Sequence, residues 1–265
     1  MELKNKILKI ADKNEFTDND IELFYKFRND LTSGKIRAAE KSGEEWRLNS
    51  WVKKGILLGF KMGKVIKMGP YLDKDTYPLQ SLDIQKNIRM APGGSAVREG
   101  AYIGKDVIMM PPMYINVGAY LDDGSMVDSH ALIGTCAQIG KNVHISAASQ
   151  IGGVLEPIGA RPVIIEDNVF IGGNCGIYEG VLIKTGAILA AGVTITSGTT
   201  VYDTVNQKFL EKDSEQAIVI PKNAVVVPGS KPLKSNPDFS LYCPIIVKYR
   251  DDKSDRSVVL ESLLR

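Results

Sequence analysis

The sequence is short of the residues that build metal centres and disulfide frameworks. It has two histidines and three widely separated cysteines, Cys136, Cys175 and Cys243. These residues are too few and too scattered for a zinc site, which needs three or four His and Cys ligands close together. An odd, scattered set of cysteines does not indicate disulfide bonds. We expect the cysteines to be small buried side chains in a reducing cytoplasm, and we expect no metal requirement.

Long hydrophobic runs and an excess of one charge are also missing. No apolar stretch approaches the roughly 18 residues of a membrane span, and the start, MELKNKILKIADKNE, has no signal-peptide core. Lys and Arg total 33 against 31 for Asp and Glu, which disfavours nucleic-acid binding. No Walker, dinucleotide-binding or nucleophile-elbow motif is found. These features favour a cytoplasmic protein that acts on small molecules, with no membrane or nucleic-acid partner.

An aliphatic residue recurs every six positions through the middle of the chain. The series is Val97, Ile103, Met109, Ile115, Leu121, Val127, Ile133, Ile139, Ile145, Ile151 and then Ile165, Ile171, Ile177, Ile183, Leu189, Ile195, Val201. The fifth residue of each hexad is small or apolar, and the residue before it is often Gly, Asn or Asp, which tolerate left-handed backbone angles. Each hexad thus describes a short strand and a corner. Three hexads close a coil, and coils stack about 4.8 Å apart, which predicts a mainly β protein built as a parallel β-helix.

Residues 1–86 lack the hexad and are predicted to form a small, mainly helical domain. Thr17 and Asp20 are spaced as a capping box before an apolar helix that ends near Gly34. Ser50 is the expected cap of a second helix, WVKKGILLGFKMG.

The β-helix is predicted to cover residues 87–229, and residues 230–265 form a C-terminal β extension. The step from Ile151 to Ile165, across GGVLEPIGARPVI, is fourteen residues, two more than two hexads, and the string contains two prolines. We therefore expect a protruding loop that walls a substrate or cofactor site. A polar hairpin, NQKFLEKDSEQ, precedes a last coil, AIVIPKNAVVVPGS. The extension comprises a strand, LYCPIIVKY, and a short helix, SVVLESLLR. The helical domain and the extension are placed to cover the open ends of the β-helix.

The chain resembles the tetrahydrodipicolinate N-succinyltransferase family of hexapeptide-repeat transferases. The shared strings are MYINVGAYLDDGSMVDSHALIGTCAQIGKNVHIS, QIGGVLEP, IIEDNVFIGGN, IRAAEKSGEEWRLNSWVKKGILLGF, VVVPGSKP and FSLYCPIIVKY. The resemblance therefore spans nearly the whole chain. It implies a left-handed coil, a homotrimer, and transfer of a succinyl group from the co-substrate succinyl-CoA. The acceptor implied is the amino group of ring-opened tetrahydrodipicolinate, in the diaminopimelate route to lysine.

The resemblance also implies which residues form the site. Asp128, in SMVDSH, matches the family's active-site aspartate, which is catalytic and binds the substrate. Arg89, in NIRMAPGGSAVREG, matches a substrate-binding arginine, and a guanidinium suits a carboxylate. The family's second catalytic glutamate falls on Gly176 here, and the nearest carboxylate is Glu179. Either Glu179 takes over its acid–base work, or Asp128 and the substrate do without it. The candidate CoA contacts, in the turn AAGV, are Ala190 and Gly192.

Three alternatives remain open at this point. Asp128 and Glu179 fall on different faces, between two and three coils apart, so they can share a site only across a subunit interface. His130, beside Asp128, is the alternative base. The alternative function is another acyl-CoA N- or O-transferase of the same fold, such as a tetrahydrodipicolinate N-acetyltransferase. A carbonic-anhydrase-like or non-catalytic β-helix protein is disfavoured, because zinc would need about three histidines.

Overall fold

The computed structural model of the protein describes residues 2–250 of the chain. The helix predicted for SVVLESLLR lies outside the described residues. The N-terminal part contains three helices and two antiparallel hairpins. Its elements are α1 Glu2–Ala11, α2 Asp18–Thr32, β1 Ala39–Ser42 paired with β2 Glu45–Leu48, α3 Ser50–Met62, β3 Val65–Met68 paired with β4 Tyr71–Lys74, and a 3-10 turn at Ile84–Lys86. None of the described helices is long and apolar enough to cross a membrane.

The two predicted helix starts have different outcomes. At α2, Thr17 Oγ1 accepts a hydrogen bond from Asp20 N, and the Asp20 carboxylate accepts one from Thr17 N, which confirms the capping box. At α3, the prediction of Ser50 as the cap is wrong. Asn49 occupies the cap position, and its Nδ2 donates to Arg37 O instead of its side chain capping the helix. The polar side chain is used to hold the preceding segment, so Ser50 becomes the first helical residue.

Short strands at six-residue intervals form the central part. They are β5 Arg89–Met90, β6 Ala96–Val97, β7 Tyr102–Ile103, β8 Ile108–Met109, β9 Tyr114–Ile115, β10 Tyr120–Leu121, β11 Met126–Val127, β12 Leu132–Ile133, β13 Gln138–Ile139, β14 His144–Ile145, β15 Gln150–Ile151, β16 Ile164–Ile165, β17 Phe170–Ile171, β18 Gly176–Ile177, β19 Leu182–Ile183, β20 Ile188–Leu189 and β21 Thr194–Ile195. From β6 onward each strand ends on the aliphatic residue of its hexad, and that residue is buried. The fifth residues from Ala101 to Ser149 and from Val169 to Val193 are buried as well. Both inward positions of the hexad are therefore confirmed.

The remaining strands lie at the C-terminal end of the β-helix, whose three-sided stack of coils we call the prism. They are β22 Tyr202–Asp203, β23 Lys208–Phe209, β24 Val219–Ile220, β25 Ala224–Val227, β26 Ser230–Leu233, β27 Asn236–Tyr242 and β28 Ile245–Tyr249. β22 and β23 form an antiparallel hairpin that begins before the predicted one, since only β23 lies within NQKFLEKDSEQ. β24 and β25 continue two ladders as the predicted last coil. The predicted series also placed a hexad at Val201, and its register is wrong. A strand should end at Val201, but β22 begins one residue after it, although the Val201 side chain is buried. LYCPIIVKY is two strands rather than one, because Pro244 has no N–H for a ladder and interrupts them.

Strands three apart pair in parallel, so each coil contributes one strand to each of three sheets. The ten-stranded face has the order β23-β22-β28-β25-β20-β17-β14-β11-β8-β5. The first six-stranded face is β24-β19-β16-β13-β10-β7, and the second six-stranded face is β21-β18-β15-β12-β9-β6. Three strands per coil with parallel ladders confirm the predicted β-helix. The three cysteines are free and buried within it or beside it, and burial raises the pKa of Cys136 to about 12.

Glu166 joins the β1–β2 hairpin to the prism. Its carboxylate accepts hydrogen bonds from Trp46 Nε1 at 2.9 Å, from Thr185 N at 3.0 Å and from Thr185 Oγ1 at 2.9 Å, and Lys41 Nζ lies 3.0 Å away. Burial raises the pKa of Glu166, but these four donors together outweigh burial and lower the pKa from 4.5 to about 2. The ionised carboxylate therefore stabilises the contact between the two parts of the chain.

We predict that Glu166→Gln lowers the free energy of unfolding at pH 7 and flattens its dependence on pH in acid. A depressed folded pKa stabilises the fold above the ordinary pKa, and this contribution is lost as the pH falls from 4.5 toward 2. The difference between wild type and Glu166→Gln should shrink by about 2 kcal/mol between pH 7 and pH 3. Urea unfolding at both pH values measures it. Glu44→Gln, an exposed carboxylate on the same hairpin, is the control. A difference that is the same at both pH values would contradict the prediction.

Candidate functional site

Two of the predicted site residues lie on adjacent outward columns of the ten-stranded face. The ladders place Arg89 beside Ile108, Ile108 beside Met126, and Met126 beside His144. Asp128 follows Met126 by two residues and so lies on the same outward side of the face. Arg89 is exposed and Asp128 is partly buried. The structure thus brings Arg89 and Asp128 to one surface, two strand spacings or roughly 10 Å apart along the axis.

Asp128 is hydrogen-bonded to a histidine of the next coil. His144 Nε2 lies 2.9 Å from Asp128 Oδ2, and the side chains are 9% and 23% exposed respectively. The His144 ring also packs edge-on against Phe170, one coil further along, with ring centroids 5.0 Å apart. The backbones of both partners are held by the ladder, through Asp128 N to Ile145 O and His144 N to Val169 O.

The histidine that contacts Asp128 is His144, and not His130, which the sequence offers as the alternative base. His130 stands at an exposed corner with a left-handed backbone, φ 63°, and its ring makes no hydrogen bond with Asp128 in the part of the chain that the structure describes. The signal that identifies His144 is the length of the coil. His144 follows Met126 by eighteen residues, or three hexads, so it stacks on Met126 and lies diagonally next to Asp128.

Glu179 lines a separate pocket beside the protruding loop. The pocket has a volume of about 600 Å³ and lies between that loop, two corners of the second six-stranded face and the turn near Gln216. Glu156 and Glu215 also line it, and no Lys or Arg of residues 2–250 does. The protruding loop therefore forms one wall of this pocket. Its acidic lining suits an ammonium group better than a carboxylate.

The backbone of Glu179 is held in an uncommon conformation. Its φ is 52°, in the left-handed region that few residues other than glycine adopt. Its carboxylate accepts hydrogen bonds from Ser197 N, at 3.0 Å, and from Ser197 Oγ. These bonds fix the carboxylate at the pocket wall, one coil below Ser197.

Gly176, where the family's second glutamate falls, has no room for a side chain. A Cβ placed on Gly176 would lie 2.5 Å from Tyr178 Cε2 and 3.0 Å from the Tyr178 hydroxyl. The Tyr178 ring therefore covers that position, and it lines the same pocket as Glu179. In this chain the carboxylate available at this corner is Glu179.

Two buried cations hold the protruding loop that forms the pocket. Lys53, fully buried on α3, donates from Nζ to Ala160 O at 2.6 Å. Arg161 donates from Nε to Gly180 O at 2.9 Å and from Nη1 to Asp213 Oδ2. Arg161 therefore ties the loop both to the corner that carries Glu179 and to the turn beyond β23.

Ala190 and Gly192 stand at a corner next to the β26–β27 hairpin. Tyr242, the last residue of β27, donates from its hydroxyl to Gly192 O at 3.4 Å and accepts from Thr194 N at 2.7 Å. Gly192 is exposed and has a left-handed backbone, with φ 78°. The hairpin is therefore a second wall beside the candidate CoA contacts, and sequence reasoning missed it.

The structure does not bring Asp128 and Glu179 together within one chain. Asp128 follows β11 on the ten-stranded face, whereas Glu179 follows β18 on the second six-stranded face. β17 is two ladder steps beyond β11, and β18 comes after β17. Their separation along the axis is at least roughly 10 Å, as the hexad numbering predicts. A chain thus carries Asp128 and Glu179, each the centre of a candidate half-site, on different faces.

Comparisons with known proteins match one family over most of the chain. Residues 3–62 match the family model described as tetrahydrodipicolinate N-succinyltransferase N-terminal, and residues 162–197 match the hexapeptide repeat of succinyl-transferase. The 2,3,4,5-tetrahydropyridine-2,6-dicarboxylate N-succinyltransferases of Pelagibacter ubique and Idiomarina loihiensis are each 42% identical to it. These matches span 248 and 244 residues and cover 89% of this chain and 86% of each relative.

A solved structure supports the fold. It is a Campylobacter jejuni protein described as a 2,3,4,5-tetrahydropyridine-2-carboxylate N-succinyltransferase, with a TM-score of 0.52 at 13% identity. The match covers 88% of this chain and 64% of that one. At this identity the likeness bears on the architecture alone.

We predict that Arg161→Gln lowers the free energy of unfolding by about 2–3 kcal/mol, because it leaves the partly buried Asp213 without its partner. Limited proteolysis should also cut within the protruding loop sooner. Arg161→Lys should recover only part of the loss, because an ammonium cannot reach both acceptors as a guanidinium fork does.

The matched control is Arg47→Gln, an exposed arginine on β2, whose effect should stay within about 0.5 kcal/mol. Urea unfolding measures all three variants. If Arg161→Gln behaves like Arg47→Gln, the loop does not depend on this clamp.

Proposed function

The chain belongs to the tetrahydrodipicolinate N-succinyltransferase family and is an N-succinyltransferase, and from this premise we propose its substrates and the roles of its residues. The acyl donor is succinyl-CoA, and the acceptor is the amino group of ring-opened tetrahydrodipicolinate. The observation that carries this reading is identity of 42% over 89% of the chain with enzymes named for this reaction. The alternative acetyl transfer is not favoured by these relatives.

The finer features of the assembly are part of the proposal. We propose a left-handed coil, a cytoplasmic homotrimer and no metal in the reaction, together with a division into residues 1–86, 87–229 and 230–265. The prism supports the trimer, because flat faces pack side by side and each chain carries its two half-sites on different faces. Packing the ten-stranded face of one chain near the second six-stranded face of another would bring Asp128 of one chain to Glu179 of the other.

The charges of the half-sites suit an amino diacid. Arg89 would bind one carboxylate of the substrate bidentately. Asp128, on the same outward surface, would then face the amino group of an extended molecule. Glu179, in its acidic pocket, would face the same ammonium from the neighbouring chain. The diacid is therefore held by its carboxylate on one chain and by its ammonium between two chains.

Asp128 would act as the general base. The substrate ammonium transfers one proton to the Asp128 carboxylate, and the free amine then attacks the thioester carbon of succinyl-CoA. The C–N bond forms, the carbonyl oxygen takes the negative charge, and collapse of this intermediate breaks the C–S bond. The second nitrogen proton passes to the leaving thiolate, which leaves as CoA, and Asp128 returns its proton to solvent.

The co-substrate would lie along the corner that Ala190 and Gly192 form. Tyr242 and the exposed β27 give this corner a raised wall, as a groove for an extended pantetheine chain requires. The same groove would lead from the ten-stranded face toward the subunit boundary, where Asp128 would lie.

Thiol release tests the proposed reaction. With 2-aminopimelate as acceptor, we expect release of CoA from succinyl-CoA to exceed release from acetyl-CoA by at least about tenfold in kcat/KM. A chelator should leave the rate unchanged. Equal rates with both donors would remove the succinyl assignment, and a loss on chelation that zinc restores would remove the metal-free mechanism.

We predict that Asp128→Asn and Glu179→Gln each lower kcat, Asp128→Asn by at least about a hundredfold, because an amide keeps the shape of the carboxylate and removes its basicity. Mixed trimers made by co-expressing the two variants should regain activity. In a random mixture about one interface in four pairs an intact Asp128 with an intact Glu179, so about a quarter of the wild-type activity should return. Steady-state rates on purified mixed trimers measure it.

The control is Asp123→Asn, a corner carboxylate that accepts a hydrogen bond from Lys105 N at 2.9 Å and should change kcat little. No recovery in mixed trimers would mean that each chain works alone. A monomer in sedimentation at micromolar concentration would contradict the trimer, and near-normal kcat for Asp128→Asn would leave Asp128 a corner residue.

A further inference from the structure

His144 contacts the Asp128 carboxylate in a way that constrains its orientation. Its Nε2 is 2.9 Å from Asp128 Oδ2, within the range of a charge-assisted hydrogen bond. For a carboxylate partner, Nε2 must carry the proton and donate it, because an ionised carboxylate only accepts. The bond joins neighbouring coils of one ladder rather than residues close in sequence.

The position of the His144 ring leaves it little freedom. Only 9% of its side chain is exposed, and Phe170 packs edge-on against it from the next coil. An aliphatic side chain could pack at this position without a hydrogen-bond partner. The imidazole is polar, so its burial is favourable only when its nitrogen atoms form hydrogen bonds. The bond to Asp128 is therefore built into the ladder.

We propose that His144 is a positioning residue for the reaction. A carboxylate rotates about its terminal torsion over a broad, roughly two-fold well. Donation from His144 Nε2 to Oδ2 fixes the plane of the Asp128 carboxylate and directs its other oxygen toward the incoming ammonium. Asp128 is 23% exposed, so the carboxylate remains reachable from the surface while His144 holds one side of it.

His144 keeps its proton throughout. The ammonium proton moves to the oxygen of Asp128 that His144 does not hold, and Oδ2 continues to accept from Nε2–H. No charge or proton passes through the imidazole, so the ring acts on the reaction only through the orientation of Asp128. This inference rests on the proposed role of Asp128 as the base.

A double-mutant cycle on the full-length protein tests the inference. The variants are His144→Leu, His144→Gln, Asp128→Asn and the combination of Asp128→Asn with His144→Leu. His144→Leu should lower kcat by about 10- to 100-fold, the cost of a misplaced catalytic group, with KM for succinyl-CoA within about twofold of wild type. His144→Gln keeps an N–H near the place of Nε2 and should return kcat to within about threefold of wild type.

The cycle separates positioning from a merely structural role. If His144 acts through Asp128, adding His144→Leu to Asp128→Asn should change kcat by less than about twofold. If the two losses multiply instead, or if His144→Gln is as slow as His144→Leu, the inference is overturned. His144→Leu with near-normal kcat also overturns it. The melting temperature of each variant shows whether the fold is kept, and His130→Leu, at the chain's other histidine, is the matched control and should stay near wild type.

Failure of the inference and failure of the proposed function give different results. A large loss in Asp128→Asn with no loss in His144→Leu overturns the inference and leaves the function intact. Near-normal kcat in Asp128→Asn removes Asp128 as the base and the inference with it. Absence of thiol release by the wild-type protein with succinyl-CoA removes the function itself.

Discussion

The parallel ladder between successive coils is the constraint on which the rest of the structure depends. In the regular coils a residue and the one eighteen positions later occupy neighbouring rungs, and the protruding loop lengthens this interval to 26 residues without changing the pairing. Every coil must therefore repeat the inward pattern of the coil below it. The inward aliphatic residues fill the prism, and the backbone groups of each coil are satisfied by the next. Only the two ends lack a neighbouring coil. The helices and hairpins of the N-terminal part lie outside the regular ladder, as does the hairpin β26–β27.

This constraint also divides the functional surface. Each face presents columns of outward side chains. The spacing within a column is set by strand pairing, and movement of the side chains cannot change it. Arg89 and His144 share one such column, and Asp128 lies on the adjacent column of the same face. Glu179 stands on another face beside the loop that Arg161 and Lys53 hold. Asp128 and Glu179 therefore cannot approach each other by local motion within one chain. In the reaction that we propose, association of chains would complete the set of groups around the substrate.

The sequence predicted the coils well because the hexad is strict and both of its inward positions are buried. It predicted less where the elements are short and polar. The strand β1, AEKS, has no alternation that marks it, and its hairpin is stabilised by the distant Glu166. Ser50 has the composition of a cap, but Asn49 takes that place because of a tertiary bond to Arg37. The neighbour of Asp128 was missed for a similar reason. Nearness in sequence favoured His130, whereas the ladder brings His144 from the next coil, and only counting in steps of eighteen reveals the pair.

The outward surface from Arg89 to Asp128 has an axial length that the ladder fixes. Along the axis its groups can be separated only by whole strand spacings of about 4.8 Å, because any other offset would break the ladder. For the proposed binding of the diacid, acceptance of a longer or shorter molecule would be expected to evolve by gain or loss of an entire coil of eighteen residues between these two residues. Gradual substitution of the wall residues cannot change that axial length. Such a coil brings its own inward residues and its own backbone partners, so the fold can lengthen or shorten without a new core having to be invented.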